Sequence, residues 1–202
     1  CSSDLTSLLL STSQGGELKF LYYGRKLTDA DVHAIVSTES GSFSAYPVYG
    51  LNCPSESALS VQHEDGNMTL QMEVIGVETT HQEKANLTVI SLKDKVYPFY
   101  VKLCYKAYQD VDVIEAWTEI SHKEKKNVKL NQFASAYLPV RKGNVWLSSL
   151  YGAWANEARL VQEPLEPGMK VIKNKDGVRN SHTAHAEVMF SLDGQPRENS
   201  GR

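Results

Sequence analysis

Few residues of this chain could do chemistry together, and the first candidates are an aromatic ring and a nearby carboxylate. Trp154 and Glu157 lie in LYGAWANEARLVQEPLEPG (Leu150 to Gly168). They could form a catalytic pair, a platform for a sugar ring, or a buried corner of a β-protein. A glycine precedes the tryptophan and Pro-Leu-Glu-Pro-Gly follows it, which favours a packed turn. We therefore predict that Trp154 is buried and that Glu157 hydrogen-bonds to the backbone or to an arginine.

A second pair of carboxylates, Glu115 and Glu119, flanks Trp117 in VIEAWTEIS (Val113 to Ser121). Glycoside hydrolysis uses two carboxyl groups, which lie roughly 5 to 9.5 Å apart. Residues four positions apart on a strand are separated by about 13 Å. This spacing favours a solvated strand face over a catalytic pair.

Histidine and cysteine spacing gives little support for a metal or nucleophile site. His182 and His185, in NSHTAH, are close in sequence, but zinc needs at least a third ligand and Glu187 is the only nearby acid. The three cysteines show no C-x-x-C spacing, and the motifs G-x-S-x-G and G-x-G-x-x-G are absent. We expect no metal site here.

Composition narrows the classes of partner. With 21 basic and 24 acidic residues, the formal net charge is -3, so we expect no nucleic-acid partner. The lysines of HKEKKN (His122 to Asn127) are interrupted by Glu124 and predict a solvated turn. No run of 18 apolar residues predicts a membrane span. Cys1 could be a lipoprotein acylation site, which favours the bacterial periplasm or cell surface over the cytoplasm.

Alternation of apolar and polar residues dominates the chain and predicts β-strands with one packed face. Only TDADVHAIVST (Thr28 to Thr38) has the features of a helix. The alternation is clearest in TLQMEVIGV (Thr69 to Val77), FYVKLCYKAY (Phe99 to Tyr108), VIEAWTEIS (Val113 to Ser121) and VKLNQFASAYL (Val128 to Leu138).

Turn signals separate these strands, and three of the turn segments contain Asp-Gly. HEDGN (His63 to Asn67) predicts a hairpin, and KDG (Lys175 to Gly177) and LDGQP (Leu192 to Pro196) repeat the signal. Many strands, frequent turns and little helix predict an all-β sandwich of packed, mostly antiparallel sheets. We expect one domain over residues 1–202.

The order of several segments resembles a known family. These segments are LKFLYYGRKL (Leu18 to Leu27), AYPVYG (Ala45 to Gly50), Val101 to Leu138, and GAWANEARLVQEPLEPGMKVIKNKDGVRNSHTAH (Gly152 to His185). Together they resemble the N-terminal domain of family 36 glycoside hydrolases, the microbial α-galactosidases. The most specific parts are the G-x-W-x-x-E plus P-L-x-P-G block and the Y-x-x-x-x-D-x-x-V-I strand pair.

The resemblance implies a β-supersandwich of the galactose-mutarotase type and a role without catalysis. In the family, a (β/α)8 barrel follows this domain and carries two catalytic aspartates, which cleave terminal α-galactosides with retention. We expect that barrel after residue 202, and no catalytic residue in this chain. The resemblance also implies no metal or organic cofactor. The implied partners are the α-galactoside of the full-length enzyme, its own barrel, and further copies of the chain.

One departure from the family touches the substrate. Many members carry Gly-Asp-x-Arg-x-Pro-Ala after the Y-G segment, and its aspartate lines the galactose pocket. Here the matching run is GLNCPSESA (Gly50 to Ala58), which places Cys53 at that aspartate and Ser55 at the arginine. Asn52 or Glu56 would then supply the polar contact. We therefore take Asn52, Cys53 and Glu56 as candidate substrate-binding residues at the pocket rim, and α-N-acetylgalactosaminides stay an alternative substrate.

Two other hypotheses belong to different classes of protein. A free carbohydrate-binding, lectin-like module would present an exposed aromatic pair on a sheet face. A mutarotase-like enzyme would have a histidine and a glutamate facing each other in one cleft.

Overall fold

The computed structural model describes residues 1–38, 43–50, 56–140, 143–174 and 183–198. The chain divides into two compact units, Cys1–Pro139 and Val140–Arg202. The first contains β1 (Thr6–Thr12), β2 (Leu18–Arg25), α1 (Asp29–Thr38), β3 (Phe43–Ser44), β4 (Leu59–Gln62), β5 (Met72–His81), β6 (Ala85–Asp94), β7 (Phe99–Tyr108), β8 (Ile114–His122) and β9 (Lys129–Phe133). The second contains β10 (Trp146–Ala153), β11 (Asn156–Pro164) and β12 (Ala184–Ser191).

The largest sheet of the first unit is an antiparallel meander of β5, β6, β7 and β8 in that order. Strand β7 has the predicted bounds, and its alternation determines which face is packed. Val101, Leu103 and Ala107 are buried on one face, whereas Lys102 on the other is exposed. Cys104 lies on the outer face but is only 2% exposed, since it sits in register between Val89 of β6 and Trp117 of β8.

The core of the first unit lies between this sheet and two smaller ones. Strands β1, β2 and β3 form one small sheet, and β4 pairs with β9 in the other. Their apolar residues join the meander in a single buried cluster, which includes Leu8, Phe20, Leu59, Val61, Leu70, Ile90, Phe99, Val101 and Leu103. Apolar burial between packed sheets is the main stabilising contribution in such an architecture. The predicted all-β sandwich class is confirmed.

The predicted helix is confirmed as α1, which begins one residue after its N-cap. The backbone N–H of Asp31 donates to Thr28 Oγ1 (3.3 Å), and the N–H of Thr28 donates to Asp31 Oδ2 (3.0 Å). This reciprocal arrangement satisfies amide groups that have no partner within a first helical turn. The helix has no buried residue, so its cap is a main local determinant. Among the described residues, no helix is long and apolar enough to cross a membrane.

The second unit is a three-stranded antiparallel sheet with β10 between β11 and β12. Exposed apolar side chains occur on both of its faces. Met189 and Phe190 are neighbours on β12 and therefore face opposite ways, yet they are 60% and 43% exposed. Leu160, on the face of Met189, is 59% exposed. A sheet that is apolar on both faces is typical of one that is covered on both sides.

Three predictions about the strands and turns of the first unit needed correction. The strand predicted over Val128 to Leu138 ends at Phe133. Beyond that residue, the carbonyl of Ala134 accepts a hydrogen bond from the Tyr46 hydroxyl, and the carbonyl of Ser135 accepts one from the Thr118 hydroxyl, so these carbonyls bond to side chains. HEDGN forms a turn with Gly66 at φ 89, but the strands on either side belong to different sheets, so it does not close a hairpin. The HKEKKN turn exposes its lysines but buries the side chain of Glu124, which is 2% exposed. The predicted KDG turn lies outside the described residues.

Candidate functional site

Of the three candidate substrate-binding residues, the structure describes Glu56, while Asn52 and Cys53 lie outside the described residues. Glu56 is exposed and lies just before β4. Its carboxylate atom Oε1 accepts a hydrogen bond from Nε2 of Gln132, on β9, at 3.0 Å. The same nitrogen lies 2.7 Å from the carbonyl oxygen of Ser57. Gln132 therefore anchors both the side chain of Glu56 and the backbone that follows it.

The backbone on both sides of residues 51–55 is held by neighbouring segments. Ala58 donates to the carbonyl of Pro47 (2.7 Å), and Tyr49 donates to the carbonyl of Leu59 (2.9 Å). The N–H of Leu70 in turn donates to the carbonyl of Tyr49 (3.0 Å). These bonds make residues 47–50 a parallel neighbour of β4, so the segments before and after the predicted rim loop are both held on a packed scaffold.

Gly50 is required where the chain enters the rim loop. Its φ is 128°, in the region that residues with a Cβ rarely adopt. A Cβ there would lie 2.7 Å from Cγ2 and 2.8 Å from Cα of Thr69, which is closer than such atoms approach. The glycine of the Tyr49-Gly50 pair is therefore explained by its backbone conformation and by its close approach to Thr69.

Two exposed aromatic residues lie at the same end of β4. Tyr49 is 49% exposed and Phe133 is 61% exposed. Phe133 pairs with Leu59 across the β4–β9 ladder, and Tyr49 hydrogen-bonds to Leu59 from the other side. Sequence reasoning did not select Gln132, Tyr49 or Phe133, because their proximity depends on pairing between segments more than 70 residues apart.

The prediction that Trp154 is buried was wrong, since it is 82% exposed. Ala153 pairs with Asn156, which leaves Trp154 and Ala155 as the two turn residues at the tip of the β10–β11 hairpin. A side chain at that position extends past the end of the sheet, where no packed layer covers it. The expected tie of Glu157 to the backbone is confirmed, because its Oε1 accepts from the N–H of Ala155 at 3.1 Å. That bond supports Ala155 at φ 58, a strained value for a non-glycine residue.

The Glu115, Trp117 and Glu119 face is the solvated strand face that the sequence predicted. Glu115 accepts from the hydroxyl of Tyr108, and Glu119 accepts from the indole N–H of Trp117. Both glutamates are exposed. Cys104 lies beside Trp117, where burial first, and the Glu119 carboxylate second, raise the pKa of its thiol. These groups form cross-strand contacts, and no catalytic arrangement results.

A buried histidine–glutamate pair, which the sequence did not reveal, lies in the first unit. Nδ1 of His63 is 2.8 Å from Oε1 of Glu124, and their side chains are 0% and 2% exposed. The ring of His63 stacks on Tyr97 with centroids 3.6 Å apart, and Phe99 meets it edge-on at 5.9 Å. A catalytic pair of the mutarotase-like kind needs an open cleft, and this pair has no access to solvent.

The possible histidine metal site finds no support in the described chain. His182 lies outside the described residues, and His185 contacts Glu187 through Nδ1 at 3.2 Å. No group of three or more potential ligands occurs among the residues that the structure describes.

Comparison with known proteins identifies the family. Residues 16–202 match the model of the glycosyl hydrolase family 36 N-terminal domain. The chain belongs to this family. The resemblance that the sequence motifs suggested is therefore confirmed over nearly the whole chain.

Relatives of this family 36 domain are parts of longer proteins. The domain is 29% identical to α-galactosidase Mel36A of Lactobacillus acidophilus over 104 residues. This stretch spans 52% of the present chain and 14% of that protein. A variant of the family 36 α-galactosidase AgaA from Geobacillus stearothermophilus, solved with raffinose, superposes with a TM-score of 0.82 at 20% identity. The α-galactosidase of Lactobacillus brevis gives 0.80 at 20% identity.

The two superpositions cover 93% and 95% of this chain, but only 30% of each solved chain. At that identity the likeness establishes the fold. The β-supersandwich expectation is thus supported by the strands of the chain and by these solved relatives.

Proposed function

We propose that the chain is the non-catalytic N-terminal domain of an α-galactosidase. The full-length enzyme would hydrolyse terminal α-galactosides of the raffinose and melibiose type with retention. Two aspartates in a (β/α)8 barrel after residue 202 would act as nucleophile and as acid/base. The observation that carries the proposal is the family match over residues 16–202, together with α-galactosidase relatives.

Four glutamates of the described residues support a non-catalytic role. Glycoside hydrolysis needs two carboxyl groups across a sugar-sized space. Glu115 and Glu119 lie on one exposed strand face, Glu124 is buried against His63, and Glu157 holds a turn amide. We therefore expect the isolated chain to be inactive.

The domain would contribute a loop and a packing surface to the enzyme. Glu56 lies at the exit of the loop that the family places at the pocket rim. In the second unit, the exposed apolar side chains on both faces of the sheet, such as Met189 and Phe190, support a partner surface. The proposed partners are the barrel of the same chain and a second copy.

The experiment is an activity assay of the full-length protein on melibiose, raffinose and an α-N-acetylgalactosaminide. We expect galactose release, with the α-anomer as the first product in an NMR time course because two successive inversions give retention. The 202-residue chain serves as the inactive control, and chelation of metals should leave the rate unchanged. No hydrolysis of any of the three substrates would overturn the proposal, and preference for the third would favour the alternative specificity.

A free carbohydrate-binding module is the second candidate, and the exposure of Trp154 favours it. An exposed indole is the kind of surface on which a sugar ring stacks. Calorimetry of the 202-residue chain with galactose and raffinose separates the candidates. Tight binding that Trp154→Ala abolishes would support the module, whereas absent or millimolar binding supports the domain role.

A further inference from the structure

The hydrogen bonds of Gln132 determine which way its amide points. Nε2 lies within bonding distance of Glu56 Oε1 and of the Ser57 carbonyl oxygen. Both of those atoms can only accept, because a carboxylate and a carbonyl carry no proton to donate. The amide group between them must therefore be the NH2, and its oxygen must point away from both.

Two acceptor atoms at this end of β4 and β9 consequently have no hydrogen-bond partner among the residues that the structure describes. Within the described part of the chain, neither Gln132 Oε1 nor Glu56 Oε2 accepts a hydrogen bond. Both residues are exposed. Two fixed acceptors are complementary to neighbouring hydroxyl donors, and they repel a phosphate or carboxylate ligand.

Tyr49 adds apolar surface on the face of Gln132. Val48 pairs with Leu59 and Gln132 pairs with Ser60, so the side chains of Tyr49 and Gln132 lie on one face of β4, whereas Phe133 lies on the other face. Tyr49 is 49% exposed. A few polar groups beside aromatic rings are the usual composition of a small-molecule site, and the C–H face of a pyranose packs well on such rings.

We propose that Gln132 and Glu56 together accept hydrogen bonds from hydroxyls of a bound saccharide, with Tyr49 contacting its apolar face. The inference rests on the proposed function and deepens it. It adds Gln132 as a sugar-contacting residue on β9, a strand outside the predicted rim loop. The Gln132 amide also fixes the orientation of Glu56, so that one side chain both contacts the sugar and positions a second contact.

The test is steady-state kinetics of the full-length protein on raffinose. We expect Gln132→Ala to raise KM about fivefold with little change in kcat, which is the effect of losing about one kilocalorie of hydrogen bonding. Gln132→Glu would place two carboxylates side by side, so its KM should be raised at neutral pH and recover partly as the pH falls and the pair takes up a proton. Gln109→Ala, another exposed glutamine of the first unit, is the matched control and should leave KM unchanged.

The outcomes separate this inference from the proposed function. A wild-type protein that hydrolyses no α-galactoside overturns the proposed function. An active wild type whose KM is the same in Gln132→Ala overturns the present inference alone. If KM is unchanged and Gln132→Ala instead alters the sedimentation coefficient, the pair binds a protein surface and the saccharide role is wrong.

Discussion

Strands β4 and β9 have a polar side-chain pair near each end, and the two pairs differ in burial. Near the end where Gln62 pairs with Lys129, the polar pair is His63 with Glu124, and it is almost completely buried. At the other end it is Glu56 with Gln132, and both residues are exposed. The distances are similar, 2.8 and 3.0 Å. Pairing geometry alone therefore does not indicate what a polar pair contributes.

The difference follows from the cost of removing polar groups from water. A buried pair contributes to stability mainly because breaking it leaves a desolvated group without a partner. An exposed pair is solvated whether or not it forms, so its net contribution is small. The buried end is thus suited to holding the turns of His63 and Glu124 together, whereas the side chains of the exposed end stay open to solvent.

The largest effect is expected from Glu124→Ala. This change leaves Nδ1 of His63 buried without its partner, and should lower the free energy of unfolding by about 3 kcal/mol. Glu124→Gln is the control, because its amide oxygen can still accept from the imidazole, and it should cost clearly less. Urea unfolding of the chain measures both, and a Glu124→Ala variant as stable as the wild type would break the comparison.

A smaller effect is expected from the ring that covers His63. Tyr97 stacks on the imidazole at 3.6 Å with an interplanar angle of 8°. Tyr97→Leu removes the stack and should cost about 1 kcal/mol. Tyr97→Phe keeps the ring and loses only the hydroxyl contacts to Asp65 and Asn67, so thermal unfolding should place it nearer to the wild type. Equal losses in the two variants would mean that the hydroxyl, and not the stack, matters.

The exposed hairpin tip extends the comparison to the second unit. Trp154→Ala should change the free energy of unfolding by less than about 0.5 kcal/mol, because the ring is 82% exposed. Trp146→Ala, in the same sheet but partly buried, is the matched control and should cost more. A large loss from Trp154→Ala would indicate that the tip is packed in solution, as the sequence predicted.

The smallest effect concerns the exposed cap of α1. The hydroxyl and then the backbone N–H of Thr28 lower the pKa of Asp31. A depressed pKa in the folded state stabilises the helix above the ordinary aspartate pKa, and that contribution is lost as the pH falls through the lowered value. NMR chemical shifts of the first helical turn should titrate accordingly, and Asp31→Asn should remove the dependence. A titration at the ordinary pKa would contradict the cap.

Much of the fold could be predicted from local pattern. The alternation in Phe99 to Tyr108 predicted the bounds of β7, and TDADVHAIVST (Thr28 to Thr38) predicted α1, since both patterns act within a few residues. The Asp-Gly turn at His63 to Asn67 was also correct as a turn. Its hairpin assignment failed because strand pairing depends on partners distant in sequence, and β4 pairs with β9 instead.

The candidate site was only partly predictable for the same reason. Glu56 could be selected from its place in the rim segment, but Gln132 is 76 residues away and appeared as an ordinary polar strand position. His63 and Glu124 are 61 residues apart, in two segments that the sequence predicted only as turns. Trp154 was misplaced because residue type favours burial, whereas its position in a two-residue turn extends it beyond the sheet.

The most direct test of the account compares Glu124→Ala and Gln132→Ala side by side in urea unfolding of the chain. The account predicts that Glu124→Ala loses about 3 kcal/mol, whereas Gln132→Ala stays within about 0.5 kcal/mol of the wild type. Similar losses from the two variants, or a larger loss from Gln132→Ala, would contradict it, because the exposed end would then stabilise the fold rather than remain available to a ligand.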